Sequence, residues 1–230
     1  MDKTTLINAI KILKKYQSGS EQVTALGGIE LKVGKGEFLA LMGPSGSGKS
    51  TLLTILGALN PPTSGSVIID DIDVYKLSSE RRADFRSAYM GFVFQQFHLI
   101  SYLTAVENVM LPLAISNKPH HEQLNMAKQV LDKVGLGNKL NRLPNQLSGG
   151  EQERVAIARA IVNEPPIVFA DEPTGALDVK TGIEIMKLFQ QLNGEGLTII
   201  MVTHNPENLD YVKRTVYMRD GIIEGEQQLS

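Results

Sequence analysis

The 230-residue chain contains no cysteine, which excludes disulfides, thiolate catalysis and cysteine-ligated metals. It has only four histidines, and none has zinc-ligand spacing; the adjacent pair His120-His121 reads as a solvated loop or helix start. An excess of charge of one sign is also missing. With 23 basic and 25 acidic residues the formal net charge is -2, which gives no support for broad binding to a nucleic-acid backbone. No apolar run approaches the ~18 residues that would span a bilayer. The opening Met1-Asp2-Lys3-Thr4-Thr5 lacks the basic-then-apolar pattern of a signal peptide. Internal repeats, low-complexity tracts and long linkers are absent too. The expectation is a soluble cytoplasmic protein whose membrane role, if it has one, comes through a partner.

Hydrophobic residues make up 42% of the chain and charged residues 21%, which suits one domain, or one domain with a subdomain, around a sizeable core. Short strands are expected first, one ending near Lys14-Lys15-Tyr16 and one over Ile29–Val33, where apolar residues alternate. Phe38–Met42 is apolar throughout, as in a strand buried on both faces. A helix follows from Thr51 to Leu56, stopped by Pro61-Pro62, and then a short strand over Val67–Asp70. Gly91–Phe94 reads as a strand, and the segment after it is mostly helical. Strand–helix alternation returns after Asn163–Pro166, with strands at Ile167–Ala170 and Leu197–Val202, a helix over Thr181–Leu192 and a closing hairpin over Thr215–Glu224. Alternation of this kind implies a parallel sheet covered on both faces.

Three segments carry chemistry. Gly43-Pro44-Ser45-Gly46-Ser47-Gly48-Lys49-Ser50 matches the phosphate-loop pattern in full and lies between a strand and a helix, as the mechanism requires. Its glycines let backbone N–H groups converge on phosphate at the positive end of a helix. Lys49 is placed to reach the β- and γ-phosphates, and the Ser50 hydroxyl to ligate Mg²⁺. Asp171 and Glu172 end a buried strand, at the edge that faces a phosphate loop in a parallel sheet. That assigns Asp171 to the hydrated Mg²⁺ and Glu172 to the attacking water. Leu147-Ser148-Gly149-Gly150-Glu151-Gln152 is a second anion-binding element at a helix start. Ser148 and Glu151 also have the spacing of a local capping box, and both readings can hold at once. A second such element has no task in an ordinary single-site kinase or GTPase. It suggests that one nucleotide is gripped by two surfaces, one from each of two copies. Gln95, His204 and Tyr16 carry little weight by themselves, since each has an ordinary structural reading.

With these motifs in this order the chain resembles the nucleotide-binding subunit of an ATP-binding cassette (ABC) transporter over about Tyr16 to Glu224. The resemblance implies an α/β fold: a P-loop NTPase core with a parallel sheet, an N-terminal antiparallel β subdomain and an inserted α-helical subdomain. As one domain over 1–230, the core takes 1–95 and 164–230 and the helical subdomain, with the signature, 96–163. It implies that Tyr16 stacks on adenine, that the phosphate loop with Thr51 holds the phosphates, and that Gln95 touches Mg²⁺ and the attacking water. It further implies that His204 contacts the γ-phosphate, that Asp178 organises a dimer interface, and that Ser148, Gly149, Gly150 and Glu151 complete the site of a second copy. Glu151 departs from the commonest signature, which has glutamine, and adds a negative charge near the nucleotide.

Gly91–Phe97, Leu103–Val109 and Asp171–Asp178 are similar to the subfamily of macrolide and antimicrobial-peptide exporters, lipoprotein-release complexes and a bacterial cell-division complex. The implied protein is an ATPase on the inner face of the cell membrane. ATP drives its homodimerisation, and it powers an integral membrane permease for efflux or export, with a periplasmic or extracellular adaptor as a further partner. The competing readings are control of a cell-division or cell-wall complex, a nucleotide-gated tether, and a soluble ATPase of translation or DNA repair. A single cassette without sustained heptads between Gln95 and Leu147 argues against the last. Phe97, His98, Leu99, Ile100, Tyr102 and Leu103, apolar and aromatic beside Gln95, are the expected permease-docking surface; the alternative is that they plug the joint between core and helical subdomain.

Overall fold

The structure, a computed structural model, describes residues 5–19 and 21–228. The chain opens with a hairpin of β1 (Thr5–Ser18) and β2 (Glu21–Gly34). It continues through β3 (Phe38–Met42), α1 (Lys49–Leu56), β4 (Ser64–Ile69), β5 (Ile72–Asp73), α2 (Ser79–Tyr89) and β6 (Met90–Phe94). Next come α3 (Ala105–Met110), α4 (His120–Lys133) and α5 (Gly149–Ile161). The last part holds β7 (Ile167–Asp171), α6 (Val179–Gly194), β8 (Thr198–Thr203), β9 (Arg214–Arg219) and β10 (Ile222–Gln228).

Two sheets organise these elements. One is four-stranded and antiparallel, in the order β2-β1-β4-β5; the other is six-stranded, in the order β10-β9-β3-β8-β7-β6. In the second, β9 to β6 run parallel and β10 closes one edge antiparallel. The fold is the expected α/β one. The hairpin departs from the expectation of short strands: β1 and β2 each run 14 residues. β1 is paired on both edges, to β2 and to β4, so its backbone groups are satisfied beyond the reach of its apolar pattern.

Side-chain alternation along the parallel strands splits the core into two halves. Phe38, Ala40, Val168, Ala170, Ile199 and Met201 face the side packed by α3–α6. Leu39, Leu41, Ile167, Phe169, Ile200 and Val202 face α1 and the antiparallel sheet. The central strands are thus buried on both faces, which is why they read as continuous apolar runs. Helix α2 is an addition to the sequence reading. Phe85 is its one buried side chain, and it starts on an N-cap bond from Arg81 N–H to the Ser78 hydroxyl. A helix with so little apolar surface leaves no 3.6-residue signal.

Candidate active site

Strand register brings the site together. Met42 pairs with Thr203, Asp171 with Val202 and Phe94 with Asp171. The residues that follow these strand ends, Gly43, His204, Glu172 and Gln95, therefore leave the sheet along one edge. α1 begins at that edge. Its N-cap, Gly48, has φ 95°, and a Cβ there would stand 2.7 Å from the Ala25 carbonyl oxygen, so the tight loop needs glycine. No side chain caps this helix and its first turn carries no acid. Its leading N–H groups are left for an anionic ligand.

The loop and strand ends enclose a cavity of about 490 Å³, lined by Ser45 to Thr51 together with Ala25, Glu172, Val202 and His204. Lys49 is 7% exposed. Its Nζ donates to the carbonyls of Gly43 and Pro44, each at 2.8 Å. Burial lowers its pKa, while the charges of Glu172 and Asp171 act to raise it. The Ser50 hydroxyl donates to Asp171 Oδ1 at 3.0 Å. Burial raises the Asp171 carboxyl and the Ser50 hydrogen bond pulls it back.

One hydroxyl and one carboxylate at this spacing fit Mg²⁺, which keeps several waters and takes phosphate oxygens rather than a full protein cage. No group of three or more His, Asp or Glu suited to a metal occurs among the described residues. When bound, the ion would neutralise phosphate charge.

Glu172 sits at φ 51°, a region sparsely populated by residues other than glycine, where strain collects at functional positions. Its N–H donates to the Val202 carbonyl at 3.0 Å. Oε1 lies 2.8 Å from His204 Nδ1, and Oε2 accepts from the His204 N–H at 3.4 Å. The carboxylate is thus aimed by the next strand end, through both the backbone and the imidazole of His204. This geometry places a fixed proton acceptor beside a phosphate cradle.

Other expected residues stand apart from this cavity. Gln95 is exposed at the same sheet edge but does not line it; its amide lies against Gly175, where a Cβ would approach Nε2 to 2.8 Å. Tyr16, on the β1–β2 hairpin, also lies outside the lining, and its hydroxyl accepts from Asn60 Nδ2 at 2.7 Å. Ser148, Gly149 and Gly150 open α5, and none of them lines the cavity. Instead Gly149 approaches Leu177, and Gly150 approaches Thr181 so closely that a Cβ would come within 2.3 Å. Asp178 caps α6 by accepting from the Thr181 N–H at 3.0 Å.

The capping box at Ser148 is formed, with the Ser148 N–H donating to Glu151 Oε2 at 2.9 Å. Lys139 lies 3.5 Å from Glu151 Oε1. The Ser148 N–H, chiefly, and Lys139 hold the Glu151 carboxyl below its ordinary range. The added charge therefore has local partners. Two features escape the sequence reading altogether. Glu153 is fully buried, with neither carboxylate oxygen hydrogen-bonded. Arg159 donates to the carbonyls of Phe97 and His98 at 2.7 and 2.5 Å. The signal for Glu153 was available: Ala156, Ile157 and Ala160 lie three, four and seven residues on, so Glu153 falls on the buried stripe of α5.

Comparison with known proteins gives the family of the chain. The sequence profile of the ABC transporter family matches residues 26–175. An uncharacterized ABC transporter ATP-binding protein of Methanocaldococcus jannaschii is 49% identical over 218 residues, covering 95% of this chain and 97% of that protein. The macrolide export ATP-binding/permease protein MacB of Syntrophobacter fumaroxidans is 50% identical over 224 residues, which is 96% of this chain but 31% of MacB. The chain thus spans about a third of that relative. Among solved structures, the ATP-binding cassette MJ0796, a dimer in a post-hydrolysis state with ADP and Pi, superposes with a TM-score of 0.90 at 44% identity, covering 98% of this chain and 99% of that one. These matches, together with the phosphate loop and the acidic strand end beside it, show that the chain belongs to the ABC transporter family, in the branch of MacB-type and MJ0796 cassettes, as an ATP-binding subunit that hydrolyses ATP with Mg²⁺.

Proposed function

We propose that two copies of this chain close on two ATP molecules, and that closure and hydrolysis drive a membrane permease working in efflux or export. One observation carries the reading. The cavity holds the phosphate loop, Glu172 and His204, yet no residue of 96–163 lines it. The helix start at Ser148-Gly149-Gly150 then has a nucleotide phosphate to bind only if it meets a second copy. The dimeric MJ0796 structure supports that arrangement.

Within each site Lys49 binds the β- and γ-phosphates, and Ser50 and Asp171 hold the ion. Glu172 takes the proton of the water whose oxygen attacks the γ-phosphorus, as the bond to the β–γ bridging oxygen breaks. His204 keeps the Glu172 carboxylate aimed. Gln95 reports nucleotide state from the same edge. Lys49→Ala is expected to abolish measurable ATP binding by calorimetry with the fold retained; near-normal affinity would remove Lys49 from this role.

The absence of cysteine gives a background-free test of the dimer. Single cysteines introduced at Ser45 and Ser148 should be joined between copies by a short bismaleimide with ATP present and not without it. Crosslinking that ignores ATP, or none in either state, contradicts the head-to-tail arrangement.

For permease docking, a second cavity of about 480 Å³ fits a short cytoplasmic helix. Its lining includes Phe92, Phe94, His98, Pro112 and Arg159. Of Phe97–Leu103, only His98 lines it. Leu99 instead packs against the core, as the alternative reading of this segment had it, while Tyr102 is 78% exposed. Tyr102→Glu should therefore leave fold and basal ATPase intact and tests docking cleanly. A charge at Leu99 should lower thermal stability by several degrees, which melting curves of the two variants will separate. The MacB relatives support export as the task. No helix among the described residues is long and apolar enough to cross a membrane.

A further inference from the structure

A polar cluster outside the phosphate cavity ties Tyr16 to the end of α1. The Tyr16 hydroxyl accepts from Asn60 Nδ2 at 2.7 Å. Asn60 Oδ1 accepts from Lys14 Nζ at 2.8 Å. An ammonium can only donate, so this contact fixes which end of the Asn60 amide faces the phenol. Lys14 Nζ also donates to the Pro61 carbonyl at 2.7 Å and stands over the Tyr16 ring, 4.9 Å from its centroid. Tyr16 nevertheless keeps 41% of its surface exposed. Residue 60 is itself held by Tyr75, whose hydroxyl proton is shared between the carbonyl of Asn60 at 2.8 Å and that of Ile55, at the end of α1, at 2.7 Å. The loop beyond is stapled to β1, with the Lys15 N–H donating to the Thr63 hydroxyl and the Thr63 N–H to the Leu13 carbonyl. The phosphate loop opens α1 and Asn60 follows its end. One eight-residue helix therefore sets the span between Tyr16 and the phosphate cradle.

We propose that Lys14 and Asn60 are positioning residues for the nucleotide base: they lock the Tyr16 ring so that its open face receives the purine at a distance fixed by α1. This rests on the reading that Tyr16 stacks on the base. The ammonium over one face of the ring draws π density from it, which strengthens stacking of an electron-rich purine on the other. The amide bond to the hydroxyl prevents rotation and so lowers the ordering cost of binding.

The test compares ATP with inorganic tripolyphosphate in magnesium-free buffer by calorimetry, in Asn60→Leu, Lys14→Met, Tyr16→Phe and Tyr16→Ala. Asn60→Leu and Tyr16→Phe should each weaken ATP about 3–10-fold, the worth of one neutral hydrogen bond, and leave tripolyphosphate unchanged. Combining the two should add little, since both remove the same bond. Lys14→Met should weaken ATP about threefold. In steady state the loss should appear in KM and leave kcat unaltered. Equal weakening of tripolyphosphate would mean general damage to the loop and overturn the proposal. So would unchanged or tighter ATP binding in Asn60→Leu and Lys14→Met. If these two are normal while Tyr16→Ala loses affinity, the positioning role alone fails. If Tyr16→Ala is normal as well, the base-stacking reading fails with it. Should Asn60→Leu not fold, Tyr16→Phe against Tyr16→Ala decides alone: an unweakened Tyr16→Phe overturns the role of the hydroxyl bond.

Discussion

Glu172→Gln is expected to lose at least ~10²-fold in turnover while ATP still binds. The amide keeps the shape of the side chain and can still meet the His204 N–H, so the left-handed turn at residue 172 survives. It cannot accept the proton of an attacking water. The contact of 2.8 Å between Glu172 Oε1 and His204 Nδ1 places the acid and the imidazole in one unit, and loss of either should be non-additive with loss of the other. His204→Ala should therefore lower turnover, and the double variant should be little worse than Glu172→Gln. Single-turnover kinetics with saturating ATP will separate chemistry from product release. Near-normal turnover in Glu172→Gln would transfer the proton-accepting role to His204.

The second large effect concerns stability. Glu153 is fully buried without a hydrogen-bond partner. Burial pushes its carboxyl up to about 8, against the opposing pull of Arg159. The folded state therefore binds a proton more tightly than the unfolded chain, where the value is near 4.5. Stability tied to this group is fully present below about pH 4.5 and is lost as pH rises toward 8, because over that window the unfolded chain can ionise and the folded one cannot. The cost at pH 7 is about 3 kcal/mol.

Glu153→Met removes the ionisable group and both orphaned oxygens at similar volume and helix propensity. It should raise the melting temperature by about 6–12 °C at pH 7. The gap between variant and parent should widen by about 3 kcal/mol from pH 5.5 to pH 8. Denaturant melts across that range are the check, and a gap independent of pH would show that Glu153 has a partner in solution.

What was legible in the sequence is what is local in it. The phosphate loop, the strand ending in Asp171-Glu172 and the capped start at Ser148 each need particular residue types at fixed spacing, and the structure places each on the element expected of it. The parallel strands were legible because burial on both faces writes continuous apolar runs. Helix α2 was not, since its one buried side chain sets no period. The length of β1 was not, because pairing to β2 from Thr5 to Ser18, rather than its own pattern, extends it. The site residues that stayed hidden depend on contacts far apart in sequence. Asn60 meets Tyr16 across 44 residues, and Arg159 meets His98 across 61. Leu99 looked like exposed docking surface because its neighbours are apolar and follow Gln95. The structure turns it inward, as Asn108 anchors the Ile100 backbone, accepting from its N–H at 2.8 Å and donating to its carbonyl at 3.1 Å.

The central claim is that one ATP is shared by the Lys49 cradle of one copy and the Ser148-Gly149-Gly150 helix start of another. Light scattering coupled to size exclusion on Glu172→Gln, with and without saturating ATP, tests it most directly. A monomer near 25.2 kDa without nucleotide and a dimer with ATP, lost again when Gly149→Asp puts a charge and a side chain at the helix start, is the expected result. A monomer at saturating ATP would contradict the claim.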